Sequence, residues 1–242
     1  MKQTLERNIG EIVAKDYRTA AVFGKFGIDF CCNGRRSIEQ ACSEKQLNAS
    51  LVYEALEAIE NSNTEDLDDY KTWALDVLAT HIEKTHHAYV EETIPVLLQY
   101  LEKINNVHGA RHPELQKVFD LFRASAGELT MHMKKEELIL FPYVKTMVAS
   151  KKHGEALKTP AFGTVQNPIQ SMMQEHDNEG ERFRKIEDIT NGYQTPKDAC
   201  ATYQVAFSLL KEFKDDLHLH IHLENNILFP KAELLEKELL GS

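Results

Sequence analysis

The sequence predicts an all-α protein, and three observations support this. Apolar residues recur mostly at intervals of three and four, rather than in the alternation that strands require. Only 11 glycines and 7 prolines interrupt 242 residues. The composition, 42% apolar and 27% charged, is that of a globular chain with enough apolar side chains for one or two packed cores. We therefore expect helices and few strands.

The first 60 residues are predicted to form short helices. Asp16 precedes an apolar run and can cap it. Ser37 is followed three residues later by Gln40, the spacing of a capping box. Ser50 opens a third amphipathic run. These signals predict a compact helical domain over residues 1–60.

A four-helix bundle is predicted for residues 70–242. Residues 61–69 combine small polar and acidic side chains without an apolar period, which is typical of a linker. Pro113, Pro168 and Pro196 lie at plausible first helical positions, and Thr195 can cap the last helix. The predicted helices cover about 70–105, 113–150, 168–190 and 196–238.

Charge and composition exclude several classes of partner. Lys and Arg total 28 against 38 for Asp and Glu, which gives a formal net charge of −10 and argues against nucleic acid and anionic membranes. No segment approaches the roughly 20 apolar residues of a membrane span, and the first residues lack the apolar core of a signal peptide. We expect a cytoplasmic protein.

The cysteines are too few for a disulfide framework and are expected to be reduced: Cys31, Cys32, Cys42 and Cys200.

An internal repeat is the most informative feature of the sequence. Residues 129–142 and 217–230 are identical at seven of fourteen positions, at a constant offset of 88. Each copy places a leucine, a histidine, a glutamate and an isoleucine at steps of three, four and three, which puts them on one helix face. They are Leu129, His132, Glu136 and Ile139 in the first copy, and Leu217, His220, Glu224 and Ile227 in the second.

Each apolar stripe is therefore interrupted by a histidine and a glutamate. An isolated pair of this kind is usually a hydrogen bond on a solvated face, but here both pairs lie within apolar stripes and the arrangement repeats. An unpaired carboxylate inside a bundle costs several kcal/mol, so a shared metal site is the better interpretation.

The duplication also indicates further ligands. An offset of 89 links His87 to His176, which lies on the apolar face of its helix. For the first metal ligand, helical phase favours His86 over His87, whereas the repeat offset favours His87. We give the offset more weight. His218 and His222 have no counterpart in the first copy and are expected to face outward. Four imidazoles and two carboxylates suit two octahedral ions with both glutamates bridging, and the ligand types admit iron, manganese or zinc.

At these residues the chain resembles the iron-sulfur cluster repair di-iron proteins. The segments that carry the resemblance are His132 to Pro142, residues 174–177 and His220 to Pro230, which are similar to a hemerythrin-like domain. Residues 29–34, which include Cys31 and Cys32, resemble the double-cysteine signature of that family's N-terminal domain. The family's first ligand lies eight residues before a proline, as His87 does before Pro95, which supports His87.

The resemblance implies a homodimeric cytoplasmic protein, made under nitrosative or oxidative stress, that helps to restore damaged iron-sulfur clusters. It implies two iron ions per chain in an oxo- and carboxylate-bridged centre, with iron donation as one mode of repair. Damaged iron-sulfur proteins would be the partners, and nitric oxide or oxygen species would be small ligands. Two alternatives stay open: a protein that binds or senses oxygen or nitric oxide, and a di-iron oxidoreductase acting on nitric oxide, oxygen or peroxide.

Cys31 and Cys32 have two interpretations. Adjacent buried cysteines can be simple packing residues. Alternatively, their position beside Arg35 and Arg36 can lower the pKa of a thiol and favour redox chemistry or contact with a client protein. Cys42 and Cys200 lie in no motif, and His108 is interpreted as a structural residue rather than a ligand.

Overall fold

The computed structural model describes residues 8–16, 18–60 and 70–241, and these are helical with no strand among them. The all-α prediction is confirmed. Among its described residues, the predicted N-terminal domain contains four short helices: α1 (Ile9–Lys15), α2 (Thr19–Lys25), α3 (Ile38–Glu44) and α4 (Ala49–Glu60). The predicted linker, residues 61–69, lies outside the described residues.

Of the three helix starts predicted for this domain, one is capped as expected and two are set by other residues. Ser37 and Gln40 form the predicted capping box at the start of α3. Asp16 instead ends α1, and its side chain accepts the backbone N–H of Arg18 before α2 begins. The side chain of Asn48, rather than that of Ser50, accepts a backbone N–H at the start of α4.

The four predicted long helices are present, and three of them contain a π-helical turn. The first joins α5 (Leu75–His81) through Ile82–His87 to α6 (Ala88–His108). The second joins α7 (Glu114–Lys135) through Glu136–Leu140 to α8 (Phe141–His153), and the third is α9 (Gln166–Ile189). The fourth joins α10 (Ala201–Leu223) through Glu224–Leu228 to α11 (Phe229–Leu240).

These helices form a four-helix bundle. Helix α6 packs against α7 and α10, α9 packs against the same two helices, and α8 packs against α5 and α11. Buried aromatic rings fill the seam, with the centroid of Phe213 lying 5.4 Å from Phe122 and 5.8 Å from Phe183. No helix in the described ranges is long and apolar enough to cross a membrane.

The π-helical turns correct one predicted core residue. A π turn adds a residue to the helix and so rotates the residues after it about the helix axis. As a result Leu140 is buried, whereas Ile139 is 48% exposed and does not share the inward face of His132 and Glu136. The equivalent Ile227 stays buried because α1 of the N-terminal domain packs against that turn.

The predicted start of the last helix was also wrong. Pro196 belongs to a turn closed by a hydrogen bond from the N–H of Ala199 to its carbonyl, at 3.0 Å. The helix begins at Ala201, with Cys200 rather than Thr195 as its N-cap.

The N-terminal domain covers the outer face of α10 and its π turn. A Cβ atom at Gly10 would lie 2.4 Å from Asn226 Oδ1, so any other residue here would require the Asn226 side chain to move. The Phe30 ring lies 6.1 Å from His218 and 5.9 Å from His222, centroid to centroid. The expectation that these two histidines face outward is therefore wrong: His222 is 1% exposed and His218 is half-buried.

Candidate metal centre

The structure brings all six candidate ligands together in the middle of the bundle. Five of them come from the three helices that contain a π turn, and lie in that turn or four residues before it; π turns are often found at functional sites. The sixth, His176, comes from α9. The six residues are buried: His87, His132, Glu136, His176, His220 and Glu224.

The six residues form two four-residue groups that share both glutamates. The first group is His87, Glu136, His220 and Glu224. Its two Nε2 atoms lie 3.2 Å apart. His87 Nε2 is 3.4 Å from Glu136 Oε2, and His220 Nε2 is 3.2 Å from Glu224 Oε1.

The second group repeats this arrangement with His132 and His176. The Nε2 atoms of these two histidines lie 3.0 Å apart. His132 Nε2 is 3.3 Å from Glu136 Oε2, and His176 Nε2 is 3.2 Å from Glu224 Oε2. Each glutamate thus faces one histidine of each group, as a bridging carboxylate does.

These separations match those of ligands on a common ion. Two donor atoms at about 2.1 Å from one ion, in adjacent octahedral positions, are about 3 Å apart. Histidine nitrogen and carboxylate oxygen are donors that iron, manganese and zinc all accept. The residues present therefore fit a pair of cations.

Among the described residues, the two carboxylates have only imidazoles as ion-pair partners. Glu136 and Glu224 are both 0% exposed. Neither oxygen of Glu136 has a hydrogen-bond partner among the described residues. A buried carboxylate in this condition costs several kcal/mol unless a cation compensates it.

In the protein without metal, protons on the imidazoles compensate part of the negative charge of the two glutamates. Burial disfavours the charged form of His176, but the carboxylate of Glu224 outweighs this effect and raises the pKa of His176 to about 9. Burial would raise the pKa of Glu224, whereas the nearby imidazoles of His220 and His176 hold it well below its usual range. The site is thus built for positive charge between the carboxylates.

A second layer of side chains orients three of the four imidazoles. The Nδ1 atom of His87 lies 3.0 Å from Glu137 Oε1, and that of His132 lies 2.9 Å from Glu175 Oε2. Asn225 serves His176 in the same way, with Oδ1 at 2.9 Å from Nδ1. An acceptor at Nδ1 fixes the tautomer in which Nε2 is free to bind a metal. Sequence reasoning missed these residues, although Glu137 and Glu175 each lie next to a predicted ligand.

His86 and His108 lie outside the two groups. His86 Nδ1 faces Asp216 Oδ1 at 2.9 Å, and its ring stacks on that of His220. His108 is buried at the end of α6, and its Nε2 lies 3.2 Å from the Sγ atom of Cys200. The offset of the repeat was therefore a better guide than helical phase, because the π turn over Ile82–His87 changes that phase.

The two adjacent cysteines lie beside the part of α9 that carries His176. Cys32 Sγ is 3.4 Å from the carbonyl oxygen of His176 and 3.6 Å from Cys31 Sγ. Asp29 orders the loop by accepting the backbone N–H groups of both cysteines. The hydrogen bond of Cys31 with Cys32 and the burial of Cys31 raise the pKa of the Cys31 thiol well above the usual range, so Cys31 is not a thiol of lowered pKa. Arg36 binds Glu44 instead of a thiol.

A four-helix bundle with two buried His/Glu groups that share their carboxylates defines a hemerythrin-like, cation-binding protein. Comparison with known proteins agrees with that class. Residues 78–232 match the hemerythrin HHE cation binding domain, and residues 5–60 match a domain of unknown function, DUF542.

Relatives are similar over nearly the whole chain. A probable iron-sulfur cluster repair protein of Haemophilus influenzae is 31% identical, over 94% of this chain and 96% of its own length. Proteins named iron-sulfur cluster repair protein YtfE from Enterobacter sp. and Escherichia coli O157:H7 are each 32% identical, with the same coverage. The chain belongs to this family of hemerythrin-domain iron-sulfur cluster repair proteins.

Proposed function

We propose that this protein holds two iron ions per chain and helps to repair iron-sulfur clusters damaged by nitrosative or oxidative stress. The observation that carries the proposal is the pair of His/Glu groups sharing Glu136 and Glu224. One group alone would suit a single ion, whereas two groups with common carboxylates suit a bridged pair. The relatives' names supply the repair process and, with it, the choice of iron, because the ligand set itself admits iron, manganese or zinc.

In this proposal each ion has two imidazoles and both glutamates as protein ligands. His87 and His220 hold one ion, and His132 and His176 hold the other. Iron held there would supply redox chemistry and, on release, would provide ferrous iron for a damaged cluster. Glu137, Glu175 and Asn225 keep three of the imidazoles oriented. The carboxylates compensate the ions' charge where water is excluded.

The cysteine pair favours repair over gas binding alone. A di-iron site that only binds oxygen or nitric oxide requires nothing outside the bundle, yet Cys32 contacts the backbone of His176. We propose that residues 1–60 and 70–242 are two domains with distinct tasks, the first acting in client contact or thiol redox chemistry. We further propose a cytoplasmic homodimer whose partners are damaged iron-sulfur proteins, with nitric oxide or oxygen species as small ligands.

The metal assignment is tested by iron analysis and absorption spectroscopy of anaerobically purified protein. Two irons per chain with oxo-bridge absorption bands are expected. Glu136→Ala and Glu224→Ala should each remain helical and lose most of the iron, because each removes a ligand from both ions. His222→Ala, which alters a buried histidine outside the two groups, should keep its iron. One zinc per chain, or full iron in both glutamate variants, would overturn the assignment.

The repair function is tested by replacing Cys31 and Cys32 together with Ser. Both irons and their spectrum should be unchanged, because all proposed ligands lie in the bundle. Recovery of a damaged iron-sulfur dehydratase should be slower. Thermal unfolding of the same samples separates this result from simple packing, which predicts recovery falling only in proportion to unfolded protein. Unchanged recovery by a folded double variant would remove the cysteines from the mechanism.

A further inference from the structure

Asn225 connects the candidate metal centre to the cysteine loop through a single side chain. Its Oδ1 atom lies 2.9 Å from His176 Nδ1, and its Nδ2 atom donates to the carbonyl oxygen of Cys31 at 3.4 Å. When His176 Nε2 binds a metal, Nδ1 carries the proton and requires an acceptor. The carbonyl of Cys31 requires a donor. One amide orientation meets both requirements, so the two bonds support each other.

The internal repeat shows why an amide occupies this position. Glu137 is the equivalent residue in the first copy, 88 positions earlier, and it accepts from His87 Nδ1 in the same way. Glu137 pairs on its other side with the Nζ atom of Lys134, a cation. A carboxylate cannot donate to a carbonyl, whereas an amide can. The second copy therefore has the side chain that can bind both a metal ligand and the cysteine loop.

The loop is also held by contacts that do not involve a metal ligand's ring. Asn226 Nδ2 donates to the same Cys31 carbonyl at 3.4 Å, but its oxygen does not accept from His176. Cys32 Sγ would lie 3.0 Å from a Cβ atom at Gly180, so the loop is closely seated on α9. A small displacement of the α9 residues in contact with the loop therefore changes the position of Cys32.

We propose that Asn225 is a positioning residue that couples metal occupancy to the accessibility of the cysteine pair. Metal bound at Nε2 fixes the ring of His176, the ring fixes the Asn225 amide, and the amide holds the carbonyl of Cys31. Loss of the metal leaves Nε2 of this ring held by the Glu224 carboxylate, at 3.2 Å, instead of by a metal bond, so the ring is fixed less firmly, the last bond is weaker and the thiol of Cys32 is more accessible. The inference rests on the proposed metal centre. It adds that the cysteine thiols become accessible to reaction when iron has left.

The test is the alkylation rate of each cysteine in the full chain. Anaerobic protein, either iron-loaded or treated with a chelator, is exposed to iodoacetamide, and modified peptides are measured by mass spectrometry. Iron removal should speed the modification of Cys32 by about fivefold, the effect of losing one hydrogen bond. Cys42, buried in the N-terminal domain, should stay slow, which excludes unfolding of that domain. Cys200, exposed beyond the far end of α6, should not change.

Three variants separate coupling from general loosening. Asn225→Asp keeps the acceptor for His176 and loses the donor, so it should retain iron while Cys32 reacts at the same rapid rate in both metal states. Asn226→Ala should raise the alkylation rate of Cys32 both with and without iron and preserve the ratio of the two rates. The reason is that Asn226 contacts the cysteine loop without contacting the imidazole of His176. Glu137→Ala should weaken iron binding and also preserve the ratio.

Two results would overturn the inference. One is a Cys32 rate in the wild-type protein that does not depend on iron. The other is an Asn225→Asp variant that keeps the metal-dependent ratio. Iron content is measured on the same samples, so a wild-type chain that binds no iron would be recognised as failure of the metal centre itself.

Discussion

Replacing Glu136 with Met should change protein stability in opposite directions with and without iron. Glu136 is 0% exposed and its oxygens have no hydrogen-bond partner among the described residues. In the metal-free protein it is a buried charge that only nearby imidazoles compensate, with His87 and His132 Nε2 at 3.4 and 3.3 Å. Burial lowers the pKa of His87 and the Glu136 carboxylate raises it, so this imidazole can lose its proton in the variant and leaves no unpaired buried charge. Under that condition, exchanging a buried ionic group for an apolar side chain of similar volume often stabilises, by about 1–4 kcal/mol.

The expected shifts are large enough for thermal unfolding to resolve. For a chain of this size, each kcal/mol moves Tm by about 2–4 °C, so the metal-free variant should melt several degrees above the metal-free wild type. Iron at 100 times its Kd adds about 2.7 kcal/mol to the wild type. The variant should lose most of that gain, because Glu136 belongs to both His/Glu groups and is a proposed ligand of both ions.

Glu236→Met is a matched control for this experiment. Glu236 is also a buried glutamate, but it accepts from Tyr143 Oη at 2.8 Å and from the backbone N–H of Val165 at 2.9 Å. Its loss leaves those donors unsatisfied, which costs about 1–3 kcal/mol. Glu236→Met should therefore destabilise the protein equally with and without iron, and keep its iron content. A Glu136→Met protein that behaves like this control would refute the reasoning.

Two further predictions concern the domain division and the helix register. A chain beginning at about residue 70 should fold and bind both irons, because every proposed ligand lies beyond that point, and circular dichroism with iron analysis would detect an unfolded or metal-free product. Ile139→Ala should change the free energy of unfolding by less than about 0.5 kcal/mol, whereas Leu140→Ala should cost about 2–5 kcal/mol, since only Leu140 is buried. Equal losses in denaturant unfolding would contradict the π-turn register.

Duplication made the candidate ligands visible in the sequence. The offset of 88 paired His132 with His220 and Glu136 with Glu224, and the related offset of 89 selected His87 and His176. The structure brings those six side chains together. Helical phase was less reliable, because a π turn shifts the register by one residue without a signature in a single sequence. That shift explains why Ile139 was misplaced and why phase favoured His86.

The sequence by itself determined the helical class, the four long helices and the pairing of histidines with glutamates, because these depend on periodicity and repetition along the chain. The tertiary structure decided which residues cover the outer faces of the bundle helices. His222 is buried, Cys32 contacts His176 and Asn225 reaches Cys31 because the N-terminal domain packs on α10 and its π turn. Contacts between residues 144 and 194 positions apart in the chain leave no local period, so only the packed structure reveals that the cysteine loop touches His176 and Asn225 beside the candidate metal centre.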